Sequence, residues 1–192
     1  WQIMDIKEMF FMQKELFISH VAAAIQEGHC ELFVGSGISQ GCGFPGWANL
    51  LKPIAQGYGF DLDYESDLPL LAQYIINENS GNRNILRNVI RQSFSEHRPI
   101  SDIHRILRDM DIRRIWTTNY DFLLEDAYSE HEPLHVIRKD DDLQQTVASN
   151  MTQLIKMHGS ADELGAVVLT REDYDNYFES QCFIKDCFQA SI

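Results

Sequence analysis

Apolar positions recur at two spacings along this chain, and their alternation sets the expected fold. Over 15–27, ELFISHVAAAIQE, Phe17, Val21 and Ala24 fall with Ile18 and Ile25 on one helical stripe, and Gly28 supplies a stop. A short apolar run at 31–34 ends abruptly on Gly35-Ser36-Gly37 and predicts a strand running into a glycine turn. GWANLLKPIAQGYG predicts a helix from Trp47 to about Gln56, kinked at Pro53 because proline has no N–H for the helical ladder. Residues 60–110 read as helical throughout: LPLLAQYIINE, NRNILRNVIRQSF, and DIHRILRDM with Ser101 and Asp102 as caps. RRIWTTN (113–119) predicts a strand and YDFLLEDAY the helix after it. LHVIR (134–138), QLIKM (153–157) and AVVLT (166–170) predict three further strands, and 171–190 a helix.

Strands alternating with helices imply an α/β fold, a Rossmann-like, mostly parallel sheet with helices on both faces. The helical stretch between the first two strands is too long for an ordinary crossover. It is expected to be a helical insertion at about 60–110, within one domain spanning 1–192, a length that suits a single core.

Composition narrows the function classes. The net charge of −13 sets the chain against phosphate backbones and anionic lipid, so direct nucleic-acid binding by this domain is not expected. Arg83, Arg87, Arg91 and Arg98 form a local basic patch, read as a solvated helix face. No run approaches 18 consecutive apolar residues, so no membrane span is expected. The four cysteines, Cys30, Cys42, Cys182 and Cys187, form no C-x-x-C pair, which argues against a zinc ribbon or a disulfide scaffold. Reduced thiols in the cytoplasm are the expectation, with Cys30 a small core residue.

The glycine turn carries the first candidate chemistry. A strand, a Gly-x-Gly turn and a helix start let a backbone approach a diphosphate that side chains would block. Ser36 and Ser39 add hydroxyl donors. The pattern is Gly35-x-Gly37-x-x-x-Gly41 rather than G-x-G-x-x-G, and no Gly-Lys-Ser/Thr follows, so a tight turn without a ligand stays open as a reading. Three further polar clusters are GFPGW (43–47), TTNYD (117–121) and KMHGS (156–160). The last two follow strands. Ligands of open parallel sheets gather at the carboxyl ends of the strands, so one sheet edge is expected to bring together Gly35, Asn119 and His158.

With those residues in view, the chain resembles the sirtuin (silent information regulator two) superfamily from about residue 30 to 160. Gly35-Ser36-Gly37-Ile38-Ser39 with Gly43-Phe44-Pro45 is similar to the family's cofactor loop. Thr118-Asn119-Tyr120-Asp121 is similar to its Gln-Asn-Ile-Asp motif, with Thr118 in place of Gln, and His158-Gly159 to its catalytic His-Gly. VVLTREDY (167–174) resembles the bacterial antiphage defence branch, whose members hydrolyse NAD. The four-cysteine zinc module of protein-deacylating sirtuins has no counterpart here. The late strand and turn that complete the adenosine side of the pocket do not occur before Ile192, so the chain is expected to be C-terminally truncated.

The resemblance implies NAD as substrate, with no metal, and an NAD glycohydrolase that releases nicotinamide and ADP-ribose. His158 is the candidate general base; a satisfied core histidine is the alternative. Asn119 is placed to hold a ribose hydroxyl or the attacking water, and also suits a helix N-cap. Asp121 is placed on the nicotinamide amide, and also suits a first helical turn. Thr118 lies near the ribose. Phe44, Pro45 and Trp47 shape the nicotinamide pocket or belong to the core. Asp173 and Tyr174 are read as structural. The resemblance further implies NAD depletion in antiphage defence, held in check by homo-oligomerisation or by a partner or sensor domain outside this chain. Two other functions compete: a non-catalytic module that senses NAD or ADP-ribose and gates a partner domain, and an NAD-dependent protein deacylase.

Overall fold

The computed structural model describes residues 14–61, 66–129, 134–144 and 151–191. Four strands form one sheet: β1 (Leu32–Val34), β2 (Arg114–Thr117), β3 (Leu134–Ile137) and β4 (Thr152–Lys156). Their order is β1-β2-β4-β3 and every pairing is parallel. Val34 lies opposite Thr117, and Thr117 opposite Lys156. Three strands therefore end level with one another, and the segments that begin at Gly35, Thr118 and Met157 leave the sheet along one edge.

The period of two along the strands explains the two covered faces. Ile115 and Leu154 enter a cluster with Val34, Ile112, Leu124, Ala127 and Tyr128. Their chain neighbours Trp116 and Ile155 enter a cluster on the other side with Ile137 and Ile184. Helix α1 (Lys14–Gln26) precedes the sheet, and the four-residue α2 (Gly37–Gln40) follows β1. Between β1 and β2 come α3 (Trp47–Gly57), α4 (Leu68–Glu78), α5 (Asn84–Phe94) and α6 (Asp102–Asp109). Helices α3 to α5 share a third cluster, with Leu51, Ala55, Leu71, Ile75, Leu86 and Ile90 at its centre. That cluster also takes in Tyr120, Leu164, Val167 and Leu169, so the helical layer packs on the carboxyl edge of the sheet.

The helix expected from Trp47 and the helix expected after Ser101 are both present, and Asp67 supplies a cap that sequence reasoning did not single out. Helix α3 continues through Pro53. Asp67 caps α4 by accepting from Leu70 N at 3.0 Å. Ser101 precedes α6, and its N–H donates to His104 Nδ1 at 3.3 Å.

Three expectations are corrected. AVVLT is not a strand: a 3₁₀ turn occupies Leu164–Ala166, and the extended residues after it bond outside the sheet. Val168 N donates to His158 O at 3.1 Å, and Val168 O accepts from the Tyr120 hydroxyl at 2.8 Å. Val167 and Leu169 are buried in the helical cluster, which gives the segment a strand-like composition without a strand's partners. The helix expected over YDFLLEDAY begins only at Leu123 (α7, Leu123–Tyr128). Lys156 Nζ takes the carbonyls of Tyr120 and Asp121, at 3.5 and 2.6 Å, which a helix starting earlier would need as acceptors. The tail is three helices, α8 (Arg171–Asp175), α9 (Tyr177–Ser180) and α10 (Cys182–Ser191). Asp140 accepts from the N–H groups of Phe183 and Ile184, both at 3.0 Å, and so caps α10 as a separate element.

Candidate active site

The carboxyl edge of the sheet brings the glycine turn and the TTNYD segment into direct contact. Thr117, the last residue of β2, donates its hydroxyl to Val34 O at 2.8 Å and accepts from Asn119 N at 3.1 Å. This fixes the first turn beyond the strand and aims the Asn119 side chain back at β1. Asn119 Nδ2 donates to Gly35 O at 3.1 Å and to Ser39 Oγ at 2.9 Å. Asn119 is therefore not the cap of α7. Asp121 takes over the capping contact, accepting from Leu123 N at 3.1 Å through Oδ1.

Each of these two side chains is only half used. Asn119 Oδ1 and Asp121 Oδ2 are shielded from solvent and have no hydrogen-bond partner among the described residues. A buried acceptor left without a donor costs about 1–3 kcal/mol. Both residues line a narrow cleft with Ser36, Ser39, Pro45, Trp47 and Thr118, closed on its apolar side by Phe94 and Tyr120. Phe44 is placed elsewhere: it is buried, stacks on Phe94 at 5.5 Å between ring centroids, and belongs to the helical core.

The glycines of the turn have no internal reason to be glycine. A Cβ built on Gly35 or Gly37 meets nothing within 4 Å, and neither residue has a positive φ. Gly159 is the opposite case. Its φ is +81°, and a Cβ there would sit 3.0 Å from Ala166 O. The fold requires glycine after His158, whereas the bare backbone at 35–37 faces open space.

His158 leaves the end of β4 two residues beyond Lys156. Its ring packs edge-on against Tyr174 at 5.2 Å and against Tyr177 at 6.3 Å, and it does not line the Asn119 cleft. Burial pushes its pKa down to about 4, so the imidazole is neutral at pH 7. Nδ1 is buried and has no hydrogen-bond partner among the described residues. One extended residue links the histidine to the cleft: Val168 holds His158 O through its N–H and the Tyr120 hydroxyl through its carbonyl. Burial also holds the Tyr120 phenol far above its ordinary pKa, so it remains a donor.

Lys156 was not singled out by sequence reasoning. It is 1 % exposed, at the end of β4. Besides the two backbone carbonyls, its Nζ pairs with Glu125 Oε1 at 2.8 Å. A lysine inside the run LIKM, flanked by Ile155 and Met157, was the available signal, because a buried lysine needs a partner. Asp173 has the structural place expected of it. Asp173 Oδ2 accepts from the N–H groups of Leu169 and Thr170, both at 2.9 Å, and pairs with Arg83, which anchors the start of α8.

Comparison with known proteins agrees with the motif order. Residues 113–192 match the SIR2-like domain family. The chain is 38% identical over 183 residues to the NAD(+) hydrolase ThsA of Enterococcus faecium, covering 94% of this chain and 38% of that protein. It is 37% identical over 164 residues to the NAD(+) hydrolase ThsA of Bacillus cereus, covering 85% of this chain and 34% of the relative. It is 26% identical over 197 residues to the defense-associated sirtuin 2 of Bacillus subtilis, of which it spans 19%. The chain thus spans little more than a third of the ThsA relatives it matches. Among the described residues no helix is long and apolar enough to cross a membrane. The Gly35–Ser39 turn, the Thr118–Asp121 segment and His158-Gly159 lie at one sheet edge in the order the motifs require; residues 113–192 belong to the SIR2-like domain family, and the chain as a whole resembles the NAD-hydrolase, defence-associated sirtuins.

Proposed function

We propose that this chain carries an NAD glycohydrolase centre, with NAD as substrate. The observation that carries the reading is the pair of orphaned acceptors, Asn119 Oδ1 and Asp121 Oδ2, in a cleft that Ser36 and Ser39 of the glycine turn also line. A dinucleotide supplies what each lacks. Its ribose hydroxyls donate to Asn119 Oδ1, its carboxamide N–H donates to Asp121 Oδ2, and its diphosphate needs close backbone approach at Gly35 to Gly37, with Ser36 and Ser39 beside it. Thr118 borders the ribose, and Pro45 and Trp47 wall the nicotinamide end.

The reaction cleaves the bond between the ribose anomeric carbon and the nicotinamide nitrogen. The electron pair leaves with nicotinamide, which becomes neutral. Water then adds to the anomeric carbon, giving ADP-ribose and releasing one proton. The transition state is oxocarbenium-like, as in glycoside hydrolysis. Neutral His158 is the proton acceptor in this reading, a role worth about 10²–10⁴-fold in rate. Its burial against Tyr174 and Tyr177 means that substrate must reach it by a shift of those rings or of the 157–159 turn. The chemistry calls for no metal. In this reading the setting is NAD depletion in antiphage defence, in the cytoplasm, with activity restrained by self-association or by a partner or sensor domain; the relatives' names, NAD(+) hydrolase and defense-associated sirtuin, support the hydrolysis and the defence role.

Hydrolysis in labelled water tests this reading. One labelled oxygen is expected in ADP-ribose per nicotinamide released, and an unlabelled sugar product would contradict it. A second reading, a nucleotide-sensing module without turnover, draws on one observation: His158 is absent from the lining of the Asn119 cleft. NAD bound stoichiometrically and recovered intact would select it. Release of an acyl group from acylated lysine peptides would instead select the deacylase reading.

A further inference from the structure

Four arginines close in sequence, Arg83, Arg87, Arg91 and Arg98, stand out in a chain of net charge −13. Two of them have internal work. Arg83 pairs with Asp173, and Arg98 stacks 4.5 Å over the Phe44 ring beside Glu96. The other two do not. Among the described residues no carboxylate pairs with Arg87 or Arg91, although Asp and Glu outnumber Lys and Arg by 29 to 16. Both sit on one face of α5, four residues apart.

That face is concave. Arg87 and Arg91, with the amides of Asn84 and Asn88, line a hollow of about 370 Å³ whose opposite wall is Leu164 and Gly165. No carboxylate is in this lining. Gly165 leaves its wall open, since a Cβ there meets nothing within 4 Å. Arg87 is half-buried and Arg91 exposed, and Arg87 also borders a second hollow of about 450 Å³ whose lining includes the carboxylates Glu172 and Asp173. A partly desolvated guanidinium without a counter-ion is costly unless an anion joins it, and guanidinium matches phosphate oxygens bidentately.

We propose that the Arg87–Arg91 hollow is a second, phosphate-binding site that takes a compact anion carrying one or two phosphate groups, distinct from the Asn119 cleft. The two guanidinium groups hold the phosphate oxygens, and the Asn84 and Asn88 amides donate to those that remain. The proposal does not depend on the hydrolase reading, because none of the six lining residues borders the Asn119 cleft.

Calorimetric titration of the full chain with pyrophosphate, and separately with ADP, tests the site. The variant is Arg87→Ala/Arg91→Ala. A charge-matched control, Lys52→Ala/Arg105→Ala, removes two cations from other helices. Saturable pyrophosphate binding is expected in the wild type and in the control, weakened at least tenfold in the arginine variant. ADP binding that is tighter than pyrophosphate and equally dependent on the arginines assigns a nucleotide as the ligand, and equal affinities assign the phosphate group alone. Absence of saturable pyrophosphate binding in the wild type overturns the proposal, as does equal weakening in both variants. Circular dichroism of the variant separates lost binding from lost fold.

Discussion

The side-chain amide of Asn119, just beyond β2, donates to Ser39 Oγ at 2.9 Å in the segment beyond β1. It makes one unit of two sequence stretches 80 residues apart. The same amide holds Gly35 O, so both of its N–H groups are spent on the glycine loop and only Oδ1 is left for a ligand. Ser39 is itself buried, and its hydroxyl position is set by Asn119 rather than by solvent. Removing the Ser39 hydroxyl frees one Asn119 N–H. Ser39→Ala is expected to raise the KM for NAD more than it lowers kcat, with a loss of about 1 kcal/mol in stability. Steady-state kinetics with a denaturation curve check it, and an unchanged KM would detach the serine from the site.

The fold does not require glycine at 37. Gly37 is the first residue of α2, its φ is not positive, and open space lies above it. Gly37→Ala is therefore expected to leave the melting temperature unchanged or raise stability by about 0.4–1 kcal/mol, while NAD binding falls. Gly159→Ala, at φ +81° against Ala166 O, is expected to destabilise by more than 1 kcal/mol in the same assay. Equal thermal effects of the two substitutions would contradict the distinction.

The course of the chain at the sheet edge was legible from composition, because β-branched and aromatic runs ending in Gly, Asn or His mark parallel strands that deliver polar groups to one side. What was not legible depended on distant partners. Residues 120–122 have helical composition, yet Lys156 withdraws the carbonyls of Tyr120 and Asp121 from 35 residues away or more. The segment 166–170 has strand composition, yet its neighbours are the helical cluster and the turn at His158. The role of Asn119 divided in the same way. Its type suits a cap, and only the proximity of Ser39 and Gly35 sends its amide elsewhere.

Lys156 is expected to be the strongest single determinant of the 118–122 conformation. Lys156→Met strands Glu125 and the Asp121 carbonyl, while Tyr120 O keeps the Ala161 N–H, and breaking a buried pair costs about 3–5 kcal/mol. Glu125→Gln/Lys156→Met removes the unpaired charge and is expected to recover part of the stability but not the loop geometry, so NAD turnover stays low. Urea unfolding with kinetics on both variants checks this. Full turnover in the double variant would free the loop from its dependence on Lys156.

The pH dependence of stability follows from His158. Its folded pKa of about 4 lies below the 6.5 of an unfolded histidine. Between those values the unfolded chain binds a proton that the folded chain does not, so this residue's contribution is complete above pH 6.5 and lost as pH falls toward 4. The loss amounts to about 3 kcal/mol across the window. His158→Gln is expected to flatten the urea midpoint over that range, and the wild-type acid limb of kcat/KM in the free enzyme is expected near pH 4 rather than 6.5. A wild-type midpoint that does not vary between pH 6.5 and 4 would contradict the buried neutral ring.

The central claim is that the Asn119 cleft breaks the nicotinamide–ribose bond. Nicotinamide release from NAD, followed for the wild type and for Asn119→Ala, tests it most directly. Turnover by the wild type, reduced about 10²- to 10⁴-fold in a variant that still folds cooperatively, is the predicted result. Equal rates in the two proteins, or NAD held by the wild type without any nicotinamide appearing, would contradict it.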